Sequence, residues 1–460
     1  MSTVHSLHNI SSNCFSNTHC SYFAFSVLCL SSQPQRLISF TMAEQRNIIV
    51  LGASFAGLPT THYIMKHIVP VLKKSKTDAK YHVYLINPSS DWWFRVASPR
   101  VAASTTRMKA EQILFDVREG LKQYSQNDLT FIEGTATGVS EQNCEITYQR
   151  SQASTEETLS YHALIIATGS RTYHQAFSMS GDTQSTLSSI KSTNSKILTA
   201  KDIIISGGGP TSVEFAGEVA EHLNGKPSWF SKPTQNANIT LITSSSKLLP
   251  TLRPAIASGA EAKLRALGVS VLYNERVVDS QETEGRTTVT LSKGNKLETD
   301  LYIPAHGVLP NSSFLPAHLL DEKNYLLTNP QTLRVDAAGQ RVYSIGDVAS
   351  YSHNSVLDVM NALPVLFTNL KRDLLSYNPM LPDEKPRGKD RLYVRSEKEM
   401  QLVPIGSGGG VGAIMGWRVP SWFVWMIKGR DFLVGMSGGP TARGESVKKE
   451  VVWSREEAAI

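Results

Sequence analysis

Cysteine is scarce in this chain. Its 460 residues include four, Cys14, Cys20, Cys29 and Cys144, and no two are spaced as CxxC. A disulfide scaffold and a thiolate zinc site are therefore excluded as organising features, and no metal is expected. Cys144 stands alone beyond the first thirty residues, where a single thiol reads as a packed side chain and not as a redox centre. Long apolar runs are missing as well, and no stretch approaches the roughly 20 residues of a membrane-spanning helix. Charged residues make up only 19%, and the net charge of +6 is spread along the chain. Such a balance is too diffuse for nucleic acid and mildly favours anionic partners such as phosphates or lipid headgroups. What is present is apolar material, 41% of residues, which excludes wholesale disorder. At roughly 150 residues per domain, the length suggests about three units.

Residues 1–42 differ from the rest. From Met1 to Ala43 there is no Asp or Glu, Arg36 is the one Lys or Arg, and Ser and Asn are frequent. The run Tyr22–Leu30 resembles the apolar part of a signal peptide without the positive segment before it. Acid-poor, Ser-rich composition fits an organellar transit peptide, but the arginines of one are missing. A disordered extension, or a start at Met42, fits equally. This segment is set apart from the fold.

Next comes Asn47–Leu51, a continuous apolar run typical of a strand covered on both faces. It feeds Gly52-Ala53-Ser54-Phe55-Ala56-Gly57 and then a helical segment from Leu58 to about Lys74. Strand, glycine turn and helix form the context in which a dinucleotide fingerprint has physical meaning: helix-terminal amides hold a pyrophosphate, provided the backbone can approach it. Gly52 makes the turn and Gly57 permits close helix–strand packing, while Ser54 replaces the middle glycine. The next strand, Tyr81–Ile86, ends at Asn87, where an acid is usual for ribose hydroxyls; an amide can still hydrogen-bond a diol.

The pattern recurs roughly 155 residues later. Lys201–Ser206 leads into Gly207-Gly208-Gly209-Pro210-Thr211-Ser212 and a helix over Val213–Ala220, followed by the strand Asn238–Ile242. Two such cradles in one chain imply two nucleotides exchanging electrons. After the second strand stands Thr243-Ser244-Ser245-Ser246-Lys247 in place of an acid. With no carboxylate to repel a 2′-phosphate, NADPH is permitted, and Lys247 is the candidate to bind it, although an ordinary polar loop reads equally well. Two further strand ends complete the order: Ala163–Gly169, closing on Ala167-Thr168-Gly169, and Val342–Asp347, closing on Gly346-Asp347.

This order of motifs, over about residues 47–385, resembles the two-dinucleotide-binding-domain flavoproteins. The fold it implies is α/β, with two Rossmann-like dinucleotide-binding domains and a small C-terminal α+β domain. The expected segments are 43–172 and 326–385 for the FAD domain, 173–325 for the inserted NAD(P)H domain, and 386–460 for the tail. By the same resemblance Asp347 holds the ribityl or pyrophosphate part of FAD, and Asp300–Asn311, with Gly307, is the return crossing. The tail, with Met400–Gly406, Ser407–Gly412 and Trp417–Asp431, is similar to that of AMID-type, apoptosis-inducing-factor-like proteins. These stand close to ferroptosis-suppressing quinone reductases and type II NADH dehydrogenases. Ser98-Pro99-Arg100 after Trp92-Trp93-Phe94 resembles fungal members, which places Arg100 among the cofactor-binding residues.

The implied activity is oxidation of NAD(P)H through FAD with a quinone or similar small acceptor. Disulfide reduction is disfavoured, because no cysteine lies between Gly52 and Gly134. A slow redox-signalling flavoprotein and a biosynthetic flavin oxidase stay open as alternatives. Glu214 falls where the family places a glutamate near the nicotinamide–flavin junction, although an acid near a helix start is also favoured by the dipole alone. Asn361–Asn369 reads as a helix with Pro364 in its first turn, aimed at the flavin. Gly408–Gly410 reads as a turn between strands. Trp422, Trp425, Met426 and Gly429 share helical spacing, which suits either an interfacial helix on a membrane or packing against another face or a second subunit. A cytoplasmic protein touching mitochondrial or lipid membranes is the expected setting, with a homodimer left open.

Overall fold

The apolar runs become the centres of two parallel sheets. The computed structural model describes residues 44–179, 181–226 and 234–459; the expectations for residues 1–42 lie outside them. The strand Glu44–Leu51 lies between Ala79–Asn87 and Ala163–Ile166, parallel to both. Val342–Ser344 adds to one side of this sheet. On the other, Leu129–Ser140 pairs with Ala79–Asn87 and continues into an antiparallel meander, Glu145–Arg150 and Glu156–Ser160. Ile48, Ile49 and Val50 are fully buried, as a strand covered on both faces requires.

The second sheet is all parallel, in the order Val269–Leu272, Asn238–Ile242, Asp202–Ser206, Leu301–Pro304. An antiparallel hairpin sheet, Val277–Thr283, Arg286–Leu291 and Lys296–Thr299, covers one of its faces through a small core of Ile204, Ile242, Val289 and Leu291. The crossing between the sheets is pinned where Ser170–Arg171 pairs with Leu309–Pro310. The chain from Ala43 to Ile460 forms one compact unit.

Local chemistry sets the element ends. The helix from Gly57 is interrupted by a π-type turn at Ile64–Ile68 before resuming at Val69–Ser75. Pro70 explains the break, since it lacks an N–H and its ring crowds the carbonyl of Lys66. The second-loop helix begins at Pro210, earlier than expected, because proline is well suited to a first helical position. Pro364 requires a correction: the helix runs Val356–Ser376, so proline sits in its interior and not in its first turn. Ser355 caps that helix by accepting a hydrogen bond from Leu357 N–H at 3.2 Å. Cys144 is corrected too: it is exposed at a hairpin turn with φ of +52°.

The tail contributes a three-stranded antiparallel sheet, Gln401–Pro404, Gly410–Ile414 and Trp417–Arg418. Gly408 and Gly409 lie in the turn joining its first two strands, and Gly410 opens the second. Helical turns follow over Ser421–Val424 and Trp425–Gly429. Val424 packs inward, while Trp422, Trp425 and Met426 are exposed. No helix among the described residues is long and apolar enough to cross a membrane.

Candidate active site: two glycine loops and a buried ion pair

Both parallel sheets send their carboxyl ends toward one cavity of about 1930 Å³. In open α/β sheets this is where ligands bind, beyond the strand ends. The first loop is tight for steric reasons. Gly52 has φ of +100°, and a Cβ there would meet Ala167 O at 2.4 Å; one on Gly57 would stand 1.7 Å from Gly52 O. Ala53, Ser54, Phe55 and Ala56 line the cavity with Gly52, whereas Gly57 shapes it from behind.

Asn87 is used differently from a ribose-binding acid. Its Oδ1 accepts from Ala53 N–H at 2.8 Å and its Nδ2 donates to Ser89 O at 2.7 Å, so both ends of the amide brace the loop. A carboxylate could not donate to Ser89 O, which gives this departure from the fingerprint a physical reason. Ser54 Oγ accepts from Trp92 Nε1 at 3.0 Å, which ties the loop to the aromatic run.

Ala167, Thr168 and Gly169 line the same wall. Thr168 Oγ1 donates to Asn311 O at 2.7 Å, and Asn311 Nδ2 returns a bond to Thr168 O at 2.9 Å. Gly346 and Asp347 also face the cavity. Asp347 Oδ2 accepts from Ser170 Oγ at 2.9 Å and from Arg95 at 3.3 Å. Arg95 was not singled out in the sequence; its one signal is its place directly after Trp92–Phe94. Val356 to Asn361, the first turns of the late helix, complete this side.

The second loop repeats the steric logic. Gly207 has φ of +139°, and a Cβ there would meet Ala305 O at 2.5 Å; one on Gly208 would strike Thr243 Oγ1 at 2.3 Å. Gly209 has open space before it, so the backbone is bare where a ligand would approach. Gly307, with φ of +60°, lines the facing wall beside His306.

Besides Gly57 and Gly207, which shape the loops from behind, four expected cofactor residues do not line the cavity. Ser212 is buried and its Oγ donates back to Gly209 O at 2.9 Å, closing the loop from inside. Pro364 lies two turns beyond the helix start. Lys247 donates its Nζ to Leu252 O, so its charge is held at the loop's own backbone. We therefore expect Lys247→Glu to shift the Michaelis constants for NADPH and NADH alike; a selective rise for NADPH would restore Lys247 to the phosphate.

Arg100 is the fourth. It is 3% exposed, with Nε and NH2 on Glu218 Oε1 at 3.2 and 2.9 Å and NH1 on Arg430 O at 3.0 Å. Arg107 reaches the other oxygen of Glu218 at 2.6 Å. The network joins the short helix Ser98–Ala103 to the second-loop helix, binding the two nucleotide units together. Arg100→Met should cost about 3 kcal/mol, because it half-strips a buried carboxylate. Thermal unfolding should fall by several degrees with the NADPH Michaelis constant unmoved.

Glu214, expected at the junction, does line the cavity and is 2% exposed. Its partner was not foreseen. Lys428, from the tail, donates Nζ to Glu214 Oε1 at 2.6 Å and to Leu402 O at 3.2 Å. Burial pushes the Glu214 carboxyl up to about 7, against the pull of the Lys428 ammonium. No spacing could show a pair 214 residues apart.

This geometry defines a protein with two dinucleotide cradles that open on one cavity. The glycine cradles that a Cβ would fill, and the volume they enclose, fit FAD and NAD(P)H. The chain belongs to the pyridine nucleotide-disulphide oxidoreductase family, whose sequence model matches residues 46–364. It is similar to oxidoreductase phnG of Penicillium herquei, 38% identical over 87% of this chain and 96% of that protein. Ferroptosis suppressor protein 1 of Homo sapiens is 23% identical over 85% of this chain and 94% of its own length. Among solved structures, the sulfide:quinone oxidoreductase of Aquifex aeolicus superposes with a TM-score of 0.63 at 14% identity, covering 87% and 92% of the two chains. The protein is thus an FAD-dependent oxidoreductase that works with NAD(P)H. Cys144 is the single cysteine among the described residues, so the site carries no cysteine pair.

Proposed function

We propose that electrons taken from NAD(P)H leave the flavin for a quinone or similar small aromatic acceptor that reaches the site beneath the C-terminal segment. The observation that carries this reading is the reach of the cavity under the tail, where Leu433, Met436 and Pro440 make an apolar wall and Lys428 a charged one. FAD, when bound, supplies the step that converts a hydride donor into an electron source for such an acceptor. The chain's own groups hold and orient. The two loops leave backbone bare for pyrophosphates, Asp347 with Arg95 offers a fixed polar contact, and the first turns of the late helix present a positive dipole end to the cavity.

Glu214 and Lys428 pair at the wall where the second loop meets the tail. The ammonium sets a positive charge beside the cavity and the carboxyl fixes its position. Outside, Trp417, Trp422, Trp425, Met426 and Met436 are exposed on the tail, with Arg418 and Arg430 among them. That combination supports delivery of an apolar acceptor from a membrane surface.

Stopped-flow absorbance is the test. NADPH should bleach the flavin and a short-chain quinone should restore it rapidly, with the Trp422→Ser/Trp425→Ser protein unchanged in both phases but weaker in vesicle flotation. Bleaching with no reoxidation by any quinone in a panel would sink the acceptor assignment.

A further inference from the structure

A second, smaller cavity of about 380 Å³ opens between the helix Pro254–Ala266 and the tail sheet. None of its lining residues lines the large cavity. Gly259 and Lys263 are spaced i, i+4 and so share one helix face, and Arg418 approaches from the opposite wall. Its NH2 would lie 3.7 Å from a Cβ on Gly259, so the guanidinium rests against the helix one turn before Lys263. Ser421 closes the rim. Its Oγ accepts from Gly410 N–H at 3.0 Å, which leaves the hydroxyl proton available to donate.

The charges here are unbalanced. Among the described residues neither the Lys263 ammonium nor the Arg418 guanidinium has a hydrogen-bond or ion-pair partner, whereas their neighbours are paired. Arg265 holds Glu261 at 2.6 Å, and Arg253 holds Glu399 at 2.6 Å and the Gly416 carbonyl. Lys263 is half-buried and its proton affinity is lowered by desolvation alone, with no acid opposing it. Two like charges line one recess, Lys263 half-buried and Arg418 exposed, and an anion seated between them would offset their repulsion.

We propose that this recess binds a phosphate group, with Lys263 and Arg418 as its two cationic arms and Ser421 as a neutral donor. Two positive charges match a phosphate dianion, where a carboxylate would leave one unanswered, and the planar Arg418 fork suits paired oxygens. Free phosphate and a lipid headgroup share this chemistry. Trp417 and Trp422 adjoin Arg418 and Ser421 in sequence, are 80% and 63% exposed, and supply an optical signal.

The full-length, FAD-loaded protein is titrated with inorganic phosphate at constant ionic strength while tryptophan fluorescence is followed. In parallel it is floated with vesicles of phosphatidylcholine, with and without phosphatidic acid. A saturable fluorescence change identifies free phosphate as a sufficient source; flotation that requires phosphatidic acid, without that change, identifies the headgroup. Either response should weaken about tenfold or more in Lys263→Gln and in Arg418→Gln, and stay unchanged in Arg265→Gln. Flavin bleaching by NADPH should be the same in all three variants, which separates this site from the redox reading and reports that each is folded. No response to either probe, or responses equal in wild type and in both cavity variants, would overturn the site.

Discussion

Lys428→Met will lose most of its turnover while its flavin stays bound. Lys428 Nζ sits 2.6 Å from Glu214 Oε1, with the two side chains 13% and 3% exposed, so little water can replace the ammonium. Removing it leaves a buried carboxylate facing Glu218, whose like charge also opposes ionisation. Glu214 then takes up a proton instead of bearing an unpaired charge, and the wall loses its cation. Loss of one preorganised charged group at a reacting centre is worth about 10²–10³ in rate. Steady-state kcat with NADPH, set beside the flavin absorbance of the same sample, measures this. Turnover within about threefold of wild type would remove Lys428 from the machinery.

The same pair makes a pH signature. The folded carboxyl of Glu214 titrates near 7, above its ordinary range, so the native state keeps a proton that the unfolded chain has released. Stability from this group is therefore fully present at low pH and declines as pH rises toward 7, by up to about 1.4 kcal/mol for each unit. In Glu214→Gln that decline should vanish from the difference between denaturant midpoints at pH 5 and pH 8. The ionisation near 7 should also leave the pH profile of flavin reduction, whereas Lys428→Met should move it upward. A profile identical in wild type and Glu214→Gln would dissociate the carboxyl from the chemistry.

How legible all this was depends on what each residue does. Gly52, Gly57 and Gly207 are readable because they answer to the backbone: a strand must turn into a helix within a few atoms of its neighbour, and only a missing Cβ allows it. The buried apolar strands and the Gly-Asp ending at Asp347 are readable for similar reasons, since their roles are fixed by the strand they end. Side-chain direction is not fixed that way. Arg100 follows a suggestive Ser-Pro, yet the packing of its helix aims it at Glu218. Lys247 stands where a 2′-phosphate would be met, yet its own loop folds back to offer Leu252 O. Lys428 follows an apolar helical stretch in the sequence, and it becomes a partner of Glu214 only because the tail folds over the second loop. Pro364 has the residue type of a helix start, yet the Ser355 cap begins the helix six residues before Asn361 and leaves the proline in its interior.

Gly57→Ala should leave colourless, poorly soluble protein, whereas Gly209→Ala should leave a yellow one that binds NADPH weakly. The two changes add the same methyl to the two loops. On Gly57 it would stand 1.7 Å from the carbonyl oxygen of Gly52, which is backbone and has no rotamer through which to escape. The strand and helix must part, and the cradle and the fully buried side chains of Ile48, Val50 and Leu58 part with them. On Gly209, φ is −83° and nothing lies within 4 Å, so alanine fits without strain. Its methyl enters only the space over the second helix start, and a loss of about tenfold in NADPH affinity is the expected cost. Flavin content by absorbance and the Michaelis constant for NADPH read the two arms separately. A yellow Gly57→Ala with wild-type melting would remove the steric basis of the first loop. A Gly209→Ala protein that loses flavin while folded would mean that the second loop does not serve the pyridine nucleotide.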